Sequence, residues 1–245
     1  MKLKEYLNVV TDFMAKYMNK ANADGFVLGL SGGVDSSLVA ALAKKAVGKE
    51  KITCMMIPID SQPSDLQDAV EIAQTLGLKF IIFDATETYR KIVDTFVKQN
   101  IIIDRSSLAN LKVRIRMSIL YAYGQSNRLL VLGTDNADER YTGYFTKWGD
   151  GACDLLPIAH LLKREVVEAS KIMGIPDRLA ERVPSAGLFE GQTDEKEMGV
   201  KYEDLDNYLL GKEIPESAKE RIEHLHKVSE HKRNPIPMAP KFDRD

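Results

Sequence analysis

A chain of 245 residues, 44% hydrophobic and 29% charged, carries enough apolar material for a sizeable core. Its formal net charge of -2 leaves no basic footprint for a nucleic-acid partner, and no run of about 18 apolar residues is present to span a bilayer. Cys54 and Cys153 lie outside any C-x-x-C pair and make no disulfide framework, and the N-terminus alternates charges with apolar residues in place of a signal core. Together these point to the cytoplasm.

Leu3, Tyr6, Leu7, Val10, Met14 and Tyr17 recur at helical spacing, so residues 3–19 are expected to form an amphipathic helix. A short buried strand over 26–30 follows, then a small-residue loop, then a helix to about Val47. Strands are expected at 52–57 and 79–83, separated by a helix from Ser64 to Leu76 that Gly77 closes. Helices over about 86–99 and 107–124 lead to an uninterrupted apolar strand, 129–133. Residues 134–152 show no clear period, and Asp154–Ile158 reads as a fifth, short strand. A helix from Lys163 to Met173 precedes a stretch rich in Pro, Gly and acidic residues over 184–200, which reads as a mobile loop, hypothetically a lid. Short helices over about 201–210 and 215–229 and a Pro-rich tail end the chain.

Strands alternating with helices predict an α/β fold, a doubly wound parallel sheet of about five strands with helices on both faces. In strand order 3-2-1-4-5, the first and fourth strands are neighbours, and the crevice beyond their carboxyl ends is the ligand site. Two stretches then face each other: Gly29-Leu30-Ser31-Gly32-Gly33-Val34-Asp35-Ser36-Ser37 and Gly133-Thr134-Asp135-Asn136-Ala137-Asp138-Glu139. The first is a strand, a glycine turn and a helix N-terminus, which gather amide N–H groups and the positive end of a helix dipole around an anion. It lacks the Lys of the Walker pattern and carries a carboxylate, Asp35. Asp35 is a helix cap or, beside a polyphosphate that would repel it by several kcal/mol at an effective dielectric of about 20, a ligand of an intervening Mg²⁺. Glu139 is a second carboxylate over the same crevice, with Asp138 beside it as an alternative ligand.

Taken with Lys112-Val113-Arg114-Ile115-Arg116-Met117, the run Thr142 to Gly151, Asp154-Leu155-Leu156-Pro157, Pro184-Ser185-Ala186-Gly187-Leu188 and His231-Lys232-Arg233, this chain resembles the NAD synthetases of the N-type ATP pyrophosphatase group over most of its length. The resemblance implies a single Rossmann-like, adenine nucleotide alpha hydrolase-like domain over 1–245, with residues 201–245 completing the substrate site. It implies that ATP adenylates the nicotinic-acid carboxylate of deamido-NAD, releasing pyrophosphate, and that ammonia then displaces AMP. The loop Gly29 to Ser37, Thr134, Lys163 and Ser185 are by this resemblance ATP contacts, and Asp35 and Glu139 the ligands of Mg²⁺. Arg114, Lys147, Asp154, His231 and Lys232 match positions that contact deamido-NAD, with Arg116 an alternative to Arg114. Asp150 matches an ammonia-side carboxylate. Three departures stand out: Asn136 where a His is common, Ser185 for a more usual Thr, and the extra Asp138. The resemblance further implies a homodimer with the dinucleotide bound at the interface, contacts coming from the N-terminal helix or the 107–124 helix. Free ammonia is the expected nitrogen source, since no residues remain for an amidotransferase domain or its nucleophilic Cys. A tRNA-thiolating enzyme of the same group is disfavoured by the missing cysteine pair, and a non-catalytic ATP-binding module by the presence of Asp35, Glu139 and Lys163.

Overall fold

A computed structural model describes residues 1–182 and 193–242. Four parallel strands, β1 (Gly25–Gly29), β2 (Ile52–Met56), β3 (Lys79–Ile82) and β4 (Leu129–Leu132), lie in the order β3-β2-β1-β4. Phe26 and Leu28 of β1, Ile52, Cys54 and Met56 of β2 and Leu132 of β4 point to one face, where they form a single core with helices α1 (Leu3–Lys20), α2 (Val34–Val47), α3 (Pro63–Leu76) and α7 (Lys163–Ile172). Val27, Met55 and Val131 point the other way, onto α5 (Arg105–Ser126), with α4 (Thr86–Lys98) beyond it. Strict alternation along each strand divides the core in two, as the period of a pleated strand requires.

The expected fifth strand is reduced to one bridge, Leu132 to Leu155. Only two main-chain bonds form there, Asp154 N to Val131 O and Gly133 N to Leu155 O, each 2.9 Å. The Val131 N–H is taken by the Asp154 carboxylate at 2.7 Å, not by a backbone carbonyl, and Pro157 has no N–H to continue. The sheet therefore has four strands.

Shorter helices fill the stretches without sequence period: α6 (Ala137–Thr142), α8 (Asp177–Ala180), α9 (Asp194–Met198) and α12 (Glu230–Arg233). Of the expected 184–200 loop, residues 183–192 lie outside the described part, while 194–198 are helical, anchored by buried Met198 and closed by left-handed Gly199. With α6 and α9, α10 (Tyr202–Leu209) and α11 (Glu216–Val228) build a small separate core of Met198, Val200, Tyr202, Leu205 and Ile222. That core sits against the N-terminal end of α7 and fixes the far wall of the crevice.

Candidate active site

The strand order places the topological switch between β1 and β4. After β1 the chain enters Ser31-Gly32-Gly33 and then α2, whose N-terminus no side chain caps. Gly32 has φ +86°, and a Cβ on it would stand 2.6 Å from the Asp65 carbonyl of α3, so only glycine fits between loop and helix. The hydroxyls of this loop are largely spent on the loop itself. Ser37 donates to Gly33 O at 2.6 Å, Ser36 Oγ reaches Ser31 N, Ser31 Oγ and Gly33 O at 3.1–3.3 Å, and Gly33 N donates to Ser31 Oγ at 3.2 Å. Ser36, Ser37, Leu30 and Val34 are buried and Ser31 is exposed, so the loop offers an anion its backbone amides and the Ser31 hydroxyl.

Asp35, in the first turn of α2, meets the stretch after β4. Asn136 Nδ2 donates to Asp35 Oδ1 at 2.8 Å. Asn136 and Glu139 cap α6 reciprocally, Glu139 N to Asn136 Oδ1 at 2.9 Å and Asn136 N to Glu139 Oε2 at 3.1 Å, so this capping box orients Glu139 toward Asp35. Between the two carboxylates lies the ammonium of Lys163, 2.6 Å from Asp35 Oδ2 and 3.9 Å from Glu139 Oε1. Burial opposes its charge, but Asp35 and Glu139 outweigh that and hold its pKa above the ordinary lysine range. Burial, then the Asp35 charge, pushes Glu139 well up. Thr134 follows β4 at the same edge of the sheet.

The aim of Lys163 is set from behind. Its backbone N–H, the first of α7, donates to Asp138 Oδ2 at 2.7 Å and Asp206 Oδ1 at 3.1 Å. Asp138 is thereby turned away from Asp35 and serves α7, leaving Glu139 as the carboxylate facing Asp35. Burial and then the Asp206 charge raise Asp138 to about 8. On its other side Lys163 Nζ stands 4.9 Å over the Tyr202 ring, whose hydroxyl donates to Asp194 at 3.1 Å, and Tyr144 donates to the same carboxylate at 3.2 Å.

The second cluster lies along residues 143–151. Arg114 donates to Lys147 O at 3.2 and 3.3 Å, Lys147 Nζ to His231 O at 2.6 Å, and Lys232 Nζ to Gly143 O and Phe145 O at 2.7 Å each. Four of the expected dinucleotide contacts thus converge. Asp154 does not join them: its oxygens hold Val131 N and the Tyr121 hydroxyl. Arg116 is spent on Ile57 O and Ser61 Oγ beneath the end of β2. Trp148, 53% exposed with φ +62°, is held at the crest of this turn, a left-handed conformation that a bulky side chain adopts only under constraint. Asp150 Oδ1 accepts from Thr146 N at 2.7 Å and Gly151 N at 3.1 Å. Ser185 lies outside the described residues.

Asn136, Asp194, Tyr144 and Tyr202 are wired to this site and were not read as site residues. Only Asn136 left a signal, the Asn-x-x-Glu spacing of a capping box.

A doubly wound parallel sheet with a glycine loop at its switch point defines a nucleotide-binding α/β scaffold. Within that class the chain belongs to the NAD synthase family, whose family model matches residues 6–236. It is 45% identical over 244 residues, the whole of both chains, to the NH(3)-dependent NAD(+) synthetase of Mesoplasma florum. Among solved structures it superposes on the NMN synthetase of Francisella tularensis with a TM-score of 0.93 at 39% identity, covering 99% of this chain and 100% of that one. On the NH3-dependent NAD synthetase of Campylobacter jejuni, solved with nitrate, the TM-score is 0.78 at 30% identity, covering 98% and 100%.

Proposed function

We propose that this chain amidates the nicotinic-acid carboxylate of deamido-NAD to give NAD, using ATP and ammonia and releasing AMP and pyrophosphate. The observation that carries this reading is the Asp35–Lys163–Glu139 cluster facing the glycine loop, in a chain 45% identical end to end to an NH3-dependent NAD synthetase. The loop Gly29 to Ser37 cradles the departing pyrophosphate through its amides and the dipole of α2, with Thr134 and Ser185 as further contacts. Asp35 and Glu139 offer the all-oxygen donors that suit Mg²⁺, one or two carboxylates with substrate phosphates completing the shell. A lysine ammonium drawn between them is the stand-in that supports this fit. When bound, the ion would neutralise charge on the phosphates. Lys163 would then pair with phosphate as a point charge.

Arg114, Lys147 and Lys232 supply the positive rim for the phosphates of the dinucleotide, with His231 beside them as a further contact. Lys147 and Lys232 keep N–H groups beyond those given to backbone carbonyls. Asp154 contributes by anchoring the edge of β4. Asp150 draws ammonium to the acyl carbon. The active form is a homodimer of two such chains.

A second reading has one observation in its favour: the superposition on an NMN synthetase is tighter than that on the NAD synthetase, 0.93 against 0.78. The chemistry would be identical, on nicotinic acid mononucleotide. Purified chain with ATP, Mg²⁺ and ammonium is to be assayed with each acid in turn. Higher kcat/KM on deamido-NAD is expected; preference for the mononucleotide selects the second reading. ATP binding without pyrophosphate release on either acid overturns both.

A further inference from the structure

The small core behind the crevice reaches Lys163 at both of its ends. Tyr202 opens α10 and Asp206 follows four residues later, so the two share one face of that helix. Asp206 Oδ1 accepts the Lys163 backbone N–H at 3.1 Å, while the Tyr202 ring centre lies 4.9 Å from the Lys163 ammonium. Root and tip of one residue are thus gripped by a single helical turn. The ring is itself fixed on every side. Tyr202 is buried with Met198, Val200, Leu205 and Ile222, its backbone N–H donates to Glu195 Oε1 at 2.9 Å, and its hydroxyl donates to Asp194 Oδ2 at 3.1 Å. Asp194 is buried too, and the Tyr144 hydroxyl reaches its other oxygen at 3.2 Å. Burial first, then the charges of Glu139 and Asp194, keep the Tyr202 phenol protonated, so it is the donor in that bond. A phenol that donates to a carboxylate gains electron density in its ring, which strengthens the negative face offered to a cation.

We infer that Tyr202 is a positioning residue for Lys163, its ring face holding the ammonium in the crevice while the charge stays available to a phosphate. The inference rests on the amidation reading above, in which Lys163 pairs with phosphate, and adds a residue to it. Asp35 of α2 and Glu139 of α6 attract the ammonium through their charges; the ring attracts it without one. A third carboxylate in its place would hold the ammonium more strongly, but it would also cancel the charge and repel an entering polyphosphate. The field of a ring quadrupole falls off more steeply with distance than that of a charge, so it fixes the ammonium at close range and opposes the anion little. Asp194 spends both its oxygens on tyrosine hydroxyls and so serves the ring, not the lysine. When Asp35 and Glu139 turn to other partners, the Tyr202 ring is the contact that stays.

The test varies the charge of the ring face at nearly constant shape. Tyr202→Phe, and the same position carrying mono-, di- and trifluorinated phenylalanine, keep the ring while each fluorine drains its face. Pyrophosphate exchange into ATP, driven by deamido-NAD without ammonium, is expected to fall stepwise along the series, by about tenfold from phenylalanine to the trifluorinated ring, with Tm level throughout. Exchange that stays constant along the series, or that falls only in step with Tm, would overturn the inference. So would full exchange in Lys163→Met, since the ring would then have no working cation to hold. The unaltered, ligand-free chain supplies a readout that needs no variant: the ring current is expected to move the Lys163 ε-methylene protons upfield in the NMR spectrum, and unshifted protons would count against the seat. The failures are distinguishable. If the unaltered chain supports no exchange with either acid, the amidation reading falls and takes the inference with it; if its exchange is normal and the fluorinated series is flat, Tyr202 alone falls.

Discussion

Lys163 keeps its charge in a buried position because carboxylates from two elements that are distant in sequence converge on it, Asp35 of α2 and Glu139 of α6. Stripping a buried charge of its only partner costs roughly 3–5 kcal/mol, but here either carboxylate remains when the other is neutralised. Asp35→Asn and Glu139→Gln are therefore expected to fold, with a loss below that range, and to lose about a hundredfold or more in pyrophosphate release. Near-normal release in both variants would remove them from the metal role. Asp138 supplies a pH signature of its own. Its folded pKa of about 8 lies far above the value near 3.9 of an unfolded aspartate, so the native chain binds the extra proton between those limits. Its contribution to stability is complete below about pH 4 and is lost as the pH rises toward about 8. Asn at this position keeps an acceptor for Lys163 N and removes the titrating carboxyl. In thermal melts of the ligand-free protein, Asp138→Asn is expected to flatten the fall in Tm across that window; equal slopes for both proteins would refute the raised Asp138 carboxyl. Loop chemistry and family motifs single out Asp35, Glu139 and Lys163 as candidates, and the structure brings the three together. Their pairing around a buried lysine was not legible in the sequence, because it depends on the Asn136 capping box and on a carboxyl pair behind α7.

At the scale of elements, the four strands were legible because each is a short apolar run between glycine or polar turns, and three of them are continuous with helices that carry a clear apolar face. The expected fifth strand over 154–158 does not form, since the Asp154 side chain and Pro157 replace main-chain bonds in ways that hydropathy does not register. Helices α6, α8, α9 and α12 span one or two turns each, too short for a 3.6-residue period to show. Their anchors are capping and tertiary contacts: Arg178 in α8 and Arg182 just beyond it pair with Asp65, Asp68 and Glu71 of α3. That same helix seats the phosphate loop at Gly32. Gly32→Ala places a Cβ against the Asp65 carbonyl and a side chain in the left-handed region, a strain of about 1–3 kcal/mol. The variant is expected to melt lower and to bind ATP more weakly by calorimetry. Unchanged affinity would mean that the loop and α3 separate freely.

At the scale of the whole molecule, an apolar surface among the described residues is left uncovered by the core. Helix α4 has no buried residue, although Val93, Phe96, Val97, Ile101 and Ile102 gather along one side of it and its trailing turn; with Leu108 they line a groove of about 450 Å³. Val97 is 68% and Ile102 97% exposed, and the neighbouring β3 is an edge strand. By contrast α1 spends Leu7, Val10, Met14 and Met18 on its own core, which leaves only Val9, Phe13 and Tyr17 outside. A contact between two copies is therefore expected at α4 and the start of α5, not at α1. In a two-fold dimer each residue counts twice. Burying an isoleucine contributes about 1.5–3 kcal/mol, so Ile102→Glu removes roughly 3–6 kcal/mol and weakens association by about two to four orders of magnitude. Sedimentation is expected to show a monomer for Ile102→Glu and an undisturbed dimer for Phe13→Glu. The reverse pattern would move the interface to α1. Ile102 stands far from Asp35 in sequence and on the opposite side of the sheet from α2, so the monomer's residual pyrophosphate release also reports whether the dinucleotide site needs the second copy: loss of turnover with ATP affinity retained is the expected result.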